Sequence, residues 1–187
     1  MLSDRVTAVT IAVLGGGIAL AGDACHVASG TTHYDKDWPA IWRSAFWFPF
    51  AVGLGILLLA WTADRLHVPP RRVRTRVDVP AGAAAVLGLY ALTAVLRHQP
   101  MTVSVVLTGA LAVLIWAWWD PSPGALLTGV LAAVVGPLAE IAVSHAGLAH
   151  YAPDADGLGG VAPWLPSIYL AAGAVSAQLW SVVRGSR

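Results

Sequence analysis

One carboxylate, Glu140, is the side chain with the clearest capacity for chemistry in this sequence. It is the sole glutamate in the chain and lies inside a long apolar run. A carboxylate at membrane depth costs about 2.5 kcal/mol or more, so it indicates a functional site by default. It can bind the head of a lipid, or act as a proton donor or acceptor. The alternative is a neutral carboxyl held by packing or reaching the membrane surface.

Small and polar residues share one helix face with Glu140. Thr128, Ala132, Gly136 and Ser144 fall with it in a row of residues spaced by four. Residues four apart lie above one another on an α-helix, so this stripe is expected to face the inside of a helix bundle. We therefore predict that these five residues contact a ligand.

A second carboxylate, Asp120, lies in a short turn between two apolar runs. Trp116, Trp118 and Trp119 precede it, and two prolines follow within three residues. The position predicts that Asp120 caps the next helix, with its oxygens facing free N–H groups near Ala125. The tryptophans are typical of a belt at the membrane–water boundary, where the ring is apolar and the N–H is solvated.

Metal and covalent chemistry find little support in the sequence. Glu140, His145 and His150 are five residues apart, and each step turns about 140° around a helix, so one face cannot hold all three. The single cysteine excludes an internal disulfide. The sequence also lacks a GxSxG elbow, an HExxH helix and a phosphate-binding glycine loop. We expect neither a metal nor a cofactor.

The composition indicates an integral membrane protein. The chain is 57% hydrophobic and only 11% charged, whereas soluble domains carry about 25% charged residues. Crossing a hydrocarbon core of about 30 Å requires about 20 apolar residues. Six runs qualify, over about residues 6–22, 44–63, 79–96, 101–119, 124–146 and 163–183. The sequence therefore predicts an all-α bundle of six transmembrane helices, forming a single domain over residues 1–187.

The distribution of arginine predicts the orientation of this bundle. Arginines cluster between the second and third runs and follow the sixth, whereas the loop 145–162 has neither Lys nor Arg. These arginines are Arg65, Arg71, Arg72, Arg74, Arg76, Arg184 and Arg187. The positive-inside rule places the arginine-rich loop between the second and third runs, and both termini, in the cytosol. With a net charge of +1, the chain has no basic face for a nucleic acid.

Residues of the second and sixth runs complete a predicted lipid pocket with the fifth. Trp47 and Pro49 lie near the start of the second run, where Pro49 is expected to kink the helix and leave the Ala45 carbonyl unpaired. Tyr169 belongs to the sixth run and offers a hydroxyl. The pocket is expected to be largely apolar, so that shape and one or two hydrogen bonds select the lipid.

Two further residues of the sixth run are assigned to the same pocket. Gln178 needs a hydrogen-bonding partner within the membrane, and we expect it or a lipid head to reach Glu140. Gly173 is expected to leave space for the ligand, as is Gly136. Leucine at either glycine should therefore expel the lipid and leave the fold intact.

Several motifs over about the last 140 residues are similar to those of the Insig (insulin-induced gene) family. Residues 46–53 resemble that family's Trp-Trp-Val-Pro-Pro-Cys-Cys-Gly, and residues 116–120 resemble its Trp-Trp-Thr-Phe-Asp. Weaker matches are 64–67 to Asp-Ser-His-Leu and 147–151 to Gly-Val-Tyr-Gln-Tyr. Trp164-Leu165-Pro166, Ala172-Gly173 and Gln178 follow the family's Trp-Leu-Pro, Gly-Gly and Asn. Pro121-Ser122-Pro123 replaces the family's basic residues after the aspartate.

The resemblance implies a six-helix membrane sensor that binds an oxysterol-like lipid between its helices. In animals such proteins retain the escort protein Scap and present HMG-CoA reductase for degradation. The family aspartate that matches Asp120 matters for partner binding, so the resemblance assigns this role to Trp116 and Asp120. Ten arginines against one lysine favour a bacterial source. The expected location is then the bacterial plasma membrane, or the ER membrane for a eukaryotic source.

The sequence thus predicts a non-enzymatic sensor that holds a sterol-like or diacylglycerol-like lipid. Its partners are the lipid and, through helix faces, another membrane protein or further copies of itself. The rival hypothesis is a small membrane enzyme acting on a lipid, with Glu140 as acid or base, which requires a second catalytic group nearby. A transporter has less support, because one buried carboxylate and no inverted repeat are visible.

Overall fold

The described part of the chain is predominantly helical. The structure is a computed structural model that describes residues 2–34, 38–66 and 69–185. Its helices are α1 Leu2–Ala28, α2 Phe48–Leu66, α3 Val79–Val95, α4 Met101–Trp119, α5 Pro123–His145, α6 Leu165–Ser176 and α7 Leu179–Arg184. Six segments are long and apolar enough to cross a membrane, with α6 and α7 together forming the sixth. The all-α, six-span prediction is confirmed.

The sixth segment lies at the centre of the bundle. In the segment formed by α6 and α7, 61% of the residues in its apolar stretch are buried, against at most 28% in the other five segments. Leu165, Ile168 and Ala171 of α6 form the main core cluster together with Leu89 and Tyr90 of α3. The other helices therefore turn large apolar faces outward, as expected for contact with lipid.

Helix α5 packs tightly against α6 around Gly173. A Cβ added at Gly173 would lie 2.6 Å from the Thr128 carbonyl oxygen and 2.7 Å from the Ala132 Cβ. Small residues at such a crossing allow two helix backbones to approach closely in lipid. Gly173 is therefore a packing residue, and the expectation that leucine here would leave the fold intact is wrong.

The second helix begins later than predicted. Residues 44 and 45, the first two of the predicted run, belong to a hairpin of β2 Ala40–Ile41 and β3 Ser44–Ala45. Helix α2 begins at Phe48, so Pro49 occupies its first turn. Proline is tolerated there because the first N–H groups of a helix have no intrahelical acceptor. The predicted kink at Pro49, with an unpaired Ala45 carbonyl, is therefore wrong.

Short strands and an ion pair cover one end of the bundle, which we call the strand end. Strand β1 (Thr32–His33) pairs antiparallel with β4 (His150–Tyr151) and joins two loops that are distant in sequence. The Arg97 guanidinium donates two hydrogen bonds to the Asp154 carboxylate. These bonds lower the pKa of Asp154. The α3–α4 turn is thereby connected to the loop between α5 and α6.

Arginines occupy the opposite end, which we call the arginine end. The Arg72 guanidinium donates to the Trp118 carbonyl at 2.6 Å, and Arg74 Nε donates to the Trp119 carbonyl at 2.8 Å. Arg76 donates in the same way to carbonyls of α7, at Val182 and Val183. The last carbonyls of a helix lack intrahelical donors and carry partial negative charge. The loop between α2 and α3 therefore caps the C-terminal ends of α4 and α7.

The orientation of the bundle stays a prediction, and it is testable with reporter fusions. The arginine end and both termini are expected in the cytosol, because arginines concentrate there. A reporter inserted after Arg76 and one inserted in the 153–160 loop should therefore give opposite localisation signals. Identical behaviour would contradict the six-span arrangement. Arg187, and His67 of the 64–67 motif, lie outside the described residues.

Candidate functional site

A cavity of about 380 Å³ lies between α2 and α5 and reaches α1, α3 and α6. Its walls are mainly aliphatic, and its polar groups concentrate at the strand end. Leu58 of α2 and Val135 of α5 line it, yet 54% and 60% of their surfaces are exposed. Because these residues lie on the lipid-facing side, the cavity is open laterally toward the membrane.

A smaller apolar cavity of about 80 Å³ adjoins it between α1, α2, α3 and α6. The two cavities share lining residues on α2, α3 and α6. These are Phe48, Val52, Ile56, Tyr90 and Tyr169. The shared side chains therefore lie between the two spaces.

Glu140 lies in the larger cavity and is held by two tyrosines. Tyr151 donates its hydroxyl to Oε2 at 2.6 Å, and Tyr169 donates to Oε1 at 2.7 Å. Tyr151 comes from β4 and Tyr169 from α6, so two separate elements fix the carboxyl of α5. Each carboxylate oxygen can accept more than one hydrogen bond, so Glu140 retains capacity for a ligand donor.

A second carboxylate, Asp23, lines the same cavity and was not predicted. It is buried near the C-terminal end of α1, where Tyr34 donates to Oδ2 at 2.7 Å and Thr32 to Oδ1 at 3.4 Å. The first apolar run was predicted to end at residue 22, one residue before Asp23. Ala19, Gly22, Asp23 and His26 are all buried at helical spacing. This burial is visible only in the structure, and the sequence offers only the helical spacing of these residues.

All four tyrosines of the chain line this cavity: Tyr34, Tyr90, Tyr151 and Tyr169. Burial raises the pKa of Tyr34, and the nearby Asp23 and Glu140 carboxylates raise it further. Burial and then Glu140 likewise raise the pKa of Tyr151. The pKa of Tyr34 therefore responds to both carboxylates, so the two carboxyls and the phenols share one electrostatic environment. This group can hydrogen-bond a ligand head or exchange a proton with it.

The structure brings together six of the ten residues assigned to ligand binding. Trp47, Ala132, Gly136, Glu140, Ser144 and Tyr169 line the larger cavity. Their role in ligand binding stays a prediction. Gly136 is tightly placed, because an added Cβ would fall on the Tyr169 ring. Leucine at Gly136 would therefore displace Tyr169 from Glu140 as well as fill space.

The other four assigned residues lie outside this cavity. Pro49 and Gly173 pack against neighbouring helices, at Gly16 of α1 and at α5 respectively. Thr128 and Gln178 line a polar cavity of about 300 Å³ at the arginine end. A row spaced by four predicts a common face but says nothing about depth. Thr128 and Ser144 lie sixteen residues apart, or about 24 Å at 1.5 Å per residue, so they reach opposite ends of the bundle.

Gln178 does not reach Glu140, so that alternative is wrong, and contact between a lipid head and Glu140 stays a prediction. It lies at the interruption between α6 and α7, where its side chain turns toward the arginine end. Its Nε2 donates to the Arg72 carbonyl at 2.8 Å and to Asp120 Oδ2 at 3.2 Å, while its Oε1 accepts from the Arg74 N–H at 3.1 Å. The glutamine thus fastens the loop between α2 and α3 to the sixth span.

Asp120 fastens the same loop and does not cap α5. Ser122 is the N-cap, accepting from the Ala125 N–H at 3.1 Å. Asp120 Oδ1 accepts the backbone N–H groups of Arg71 and Arg72 at 2.9 and 3.2 Å. Its Oδ2 accepts the Ser122 hydroxyl at 2.8 Å in addition to Gln178. Only 1% of Asp120 is exposed.

The three tryptophans before Asp120 are not a uniform interfacial belt. Trp119 is buried against α3 and α6, whereas Trp118 is exposed and lies beside the Arg74 guanidinium. Trp116 donates its Nε1–H to the Ser122 carbonyl at 3.3 Å. Partner binding by Trp116 and Asp120 stays a prediction. A partner would meet Asp120 through the loop that it holds, because its carboxylate is buried.

A metal centre has no candidate ligand set within the described ranges. No group of three or more His, Cys, Asp or Glu side chains converges there. Among the described residues, the groups that donate hydrogen bonds to the Asp23 and Glu140 carboxylates are hydroxyls. The chemistry that the site offers is therefore hydrogen bonding and charge.

Comparison with known proteins identifies the family. No family model matches the chain. An INSIG protein homolog from Mycolicibacterium vanbaalenii is 44% identical over 174 residues, which cover 92% of this chain and 84% of that protein. The chain belongs to the Insig family. The resemblance predicted from residues 46–53 and 116–120 is thereby confirmed.

Solved structures of the Insig family support the same architecture. The crystal structure of the mycobacterial Insig homolog MvINS from Mycobacterium vanbaalenii matches with a TM-score of 0.89 at 39% identity. The match covers 97% of this chain and 96% of MvINS. A cross-linked trimer of an MvINS cysteine variant matches equally well. This Insig homologue is therefore an integral protein of a bacterial membrane, with six spanning segments.

Proposed function

We propose that this Insig homologue is a non-enzymatic lipid sensor holding one sterol-like or diacylglycerol-like lipid between α2 and α5. The observation that carries the proposal is the cavity that opens past Leu58 and Val135 and ends at Glu140. Its lateral opening gives a lipid direct entry from the bilayer. Its polar groups lie at one end, which matches a molecule with one polar head and an apolar body.

Shape and head-group bonding would determine which lipid is held. Burying apolar surface from water is worth roughly 25 cal/mol per Å². A lipid already in the bilayer gains almost none of this, because the acyl chains around it are equally apolar. Selectivity therefore rests on the fit between α2 and α5 and on the few bonds available near Glu140.

Filling the cavity should remove the lipid while the protein remains folded. Gly55 lines the cavity, and an added Cβ there meets nothing within 4 Å. We expect Gly55→Leu to lower co-purified lipid severalfold, measured by mass spectrometry, with little change in melting temperature. Gly17→Leu is the matched control, since Gly17 is equally unobstructed but faces outward on α1. Equal lipid content in the two variants would place the ligand elsewhere.

The enzyme hypothesis retains one supporting observation. It requires a second catalytic group near Glu140, and Asp23 and Tyr169 supply candidates in the same cavity. Against it, Ser144 donates its hydroxyl to the Gly160 carbonyl at 3.3 Å and is not paired with a base. Glu140→Gln separates the hypotheses. A sensor retains lipid with a modest loss, whereas an enzyme loses turnover while still binding.

We also propose that the protein assembles with further copies of itself. The support is the cross-linked trimer of its relative MvINS. The outward apolar faces of the helices offer surfaces for such contacts, or for another membrane protein. This proposal is independent of the lipid, because the cavity between α2 and α5 lies within one chain.

A further inference from the structure

The polar end of the larger cavity carries acidic side chains. It contains two carboxyls, Asp23 and Glu140, each holding hydroxyl donors from surrounding elements. Among the described residues, no Lys, Arg or His side chain lines the cavity to balance them. An incoming group that carries positive charge and several donors would therefore match the available chemistry.

Tyr90 provides a separate indication that a ligand group belongs here. Three of the four tyrosine hydroxyls donate to the carboxyls, but the Tyr90 hydroxyl makes no hydrogen bond with the described residues. Tyr90 is only 9% exposed and lines both cavities. A polar group on a cavity wall gains a hydrogen bond when a ligand atom meets it. A ligand atom beside Tyr90 would supply that bond.

Charge disfavours the commonest membrane head groups at this end. A phosphate or a fatty-acid carboxylate would approach Asp23 and Glu140 with no cation on the described part of the cavity wall, and an anion is repelled by an ionised carboxylate at low dielectric. A neutral hydroxyl gains hydrogen bonds only. An ammonium group gains hydrogen bonds and an attraction to both carboxyls, and the rings of Tyr34 and Trp47 can contribute cation–π contacts. The cavity chemistry therefore ranks ammonium first.

We propose that the strand end of this cavity is an ammonium site, which binds single-chain amphiphiles with a protonated amine in preference to the corresponding alcohol. An ammonium has three donors, and the three acceptors are the Asp23 carboxylate, the Glu140 carboxylate and the Tyr90 phenol oxygen. The alkyl chain lies along α2 and α5. This inference rests on the lipid cavity proposed above and assigns it a further ligand class.

A ligand series tests the site in the unmodified protein. The full chain is delipidated and placed in nanodiscs of zwitterionic phosphatidylcholine, and native mass spectrometry measures binding of tetradecylamine, tetradecan-1-ol and myristate. We expect the amine to bind about tenfold more tightly than the alcohol, and myristate to bind most weakly. Equal affinities for amine and alcohol would overturn the ammonium site alone. Failure of amine and alcohol alike would overturn the lipid cavity as well.

Variants assign the preference to named groups. Glu140→Gln and Asp23→Asn keep the side-chain shape but remove a charge, so each should reduce the amine-to-alcohol ratio about fivefold, because amine affinity falls more than alcohol affinity. Tyr90→Phe should lower the amine-to-alcohol ratio by less than the carboxylate variants do. It replaces a carboxylate variant in the test if that variant fails to fold. Asp156→Asn, in the exposed loop outside the cavity, is the matched control. An unchanged ratio in all three site variants would overturn the proposal.

Discussion

Replacing Asp120 with alanine is expected to lower the free energy of unfolding by about 3 kcal/mol or more. The carboxylate accepts hydrogen bonds from the Arg71 and Arg72 backbones, from Ser122 and from Gln178. Its loss leaves four donors without that acceptor at the arginine end. Water will reach part of the loop, which limits the cost. Thermal or SDS-induced unfolding of the purified protein measures the change.

Asp64→Ala is the matched control for this substitution. Asp64 lines the same polar cavity at the arginine end but makes no hydrogen bond or ion pair with the described residues. Its replacement is expected to change stability by less than about 0.5 kcal/mol. Similar losses in the two variants would show that the buried hydrogen bonds to Asp120 contribute nothing specific.

Gly173→Leu is expected to prevent normal folding, or to destabilise the protein by about 3 kcal/mol or more. A Cβ at this position already falls 2.6 Å from the Thr128 carbonyl and 2.9 Å from the Gly129 Cα. Backbone atoms cannot move aside as a flexible side chain can, so α5 and α6 must separate. The yield of monodisperse protein and its melting temperature measure the effect.

Gly88→Leu controls for the change from glycine to leucine within a spanning helix. Gly88 lies on α3, and an added Cβ there meets no atom within 4 Å. Normal yield and stability are expected for this variant. If Gly173→Leu were equally well folded, the close approach of α5 and α6 would not be a requirement of the fold.

The spanning helices could be predicted because the signal for each one lies within a single continuous stretch of the sequence. An uninterrupted apolar run of sufficient length has one structural solution in a membrane, where backbone groups must bond within the segment. The fourth run, residues 101–119, coincides with α4. The starts of α2 and α6 were less accurate, because prolines and aromatic residues are equally compatible with a membrane-surface loop.

The polar contacts could not be predicted, because they join residues far apart in the chain. Gln178 Oε1 accepts from the Arg74 N–H across 104 positions, and Tyr169 reaches Glu140 across 29. A helical row fixes the direction of a side chain but not its depth or partner. Gln178 was therefore assigned to the wrong end, whereas Glu140 was correctly recognised as a polar group inside the bundle. Asp23 was missed because the first span was ended too early.

The arginine contacts also imply an order of events during synthesis. Arg72 and Arg74 bind carbonyls at Trp118 and Trp119, and Arg76 binds carbonyls at Val182 and Val183. These acceptors leave the ribosome after the arginines do. Until then the guanidinium groups are hydrated cations that can orient α2 and α3 as they insert. Arg72 and Arg74 can form their internal bonds once α4 has been made, whereas Arg76 must wait for α7, so the last and shortest helix completes a loop made more than one hundred residues earlier.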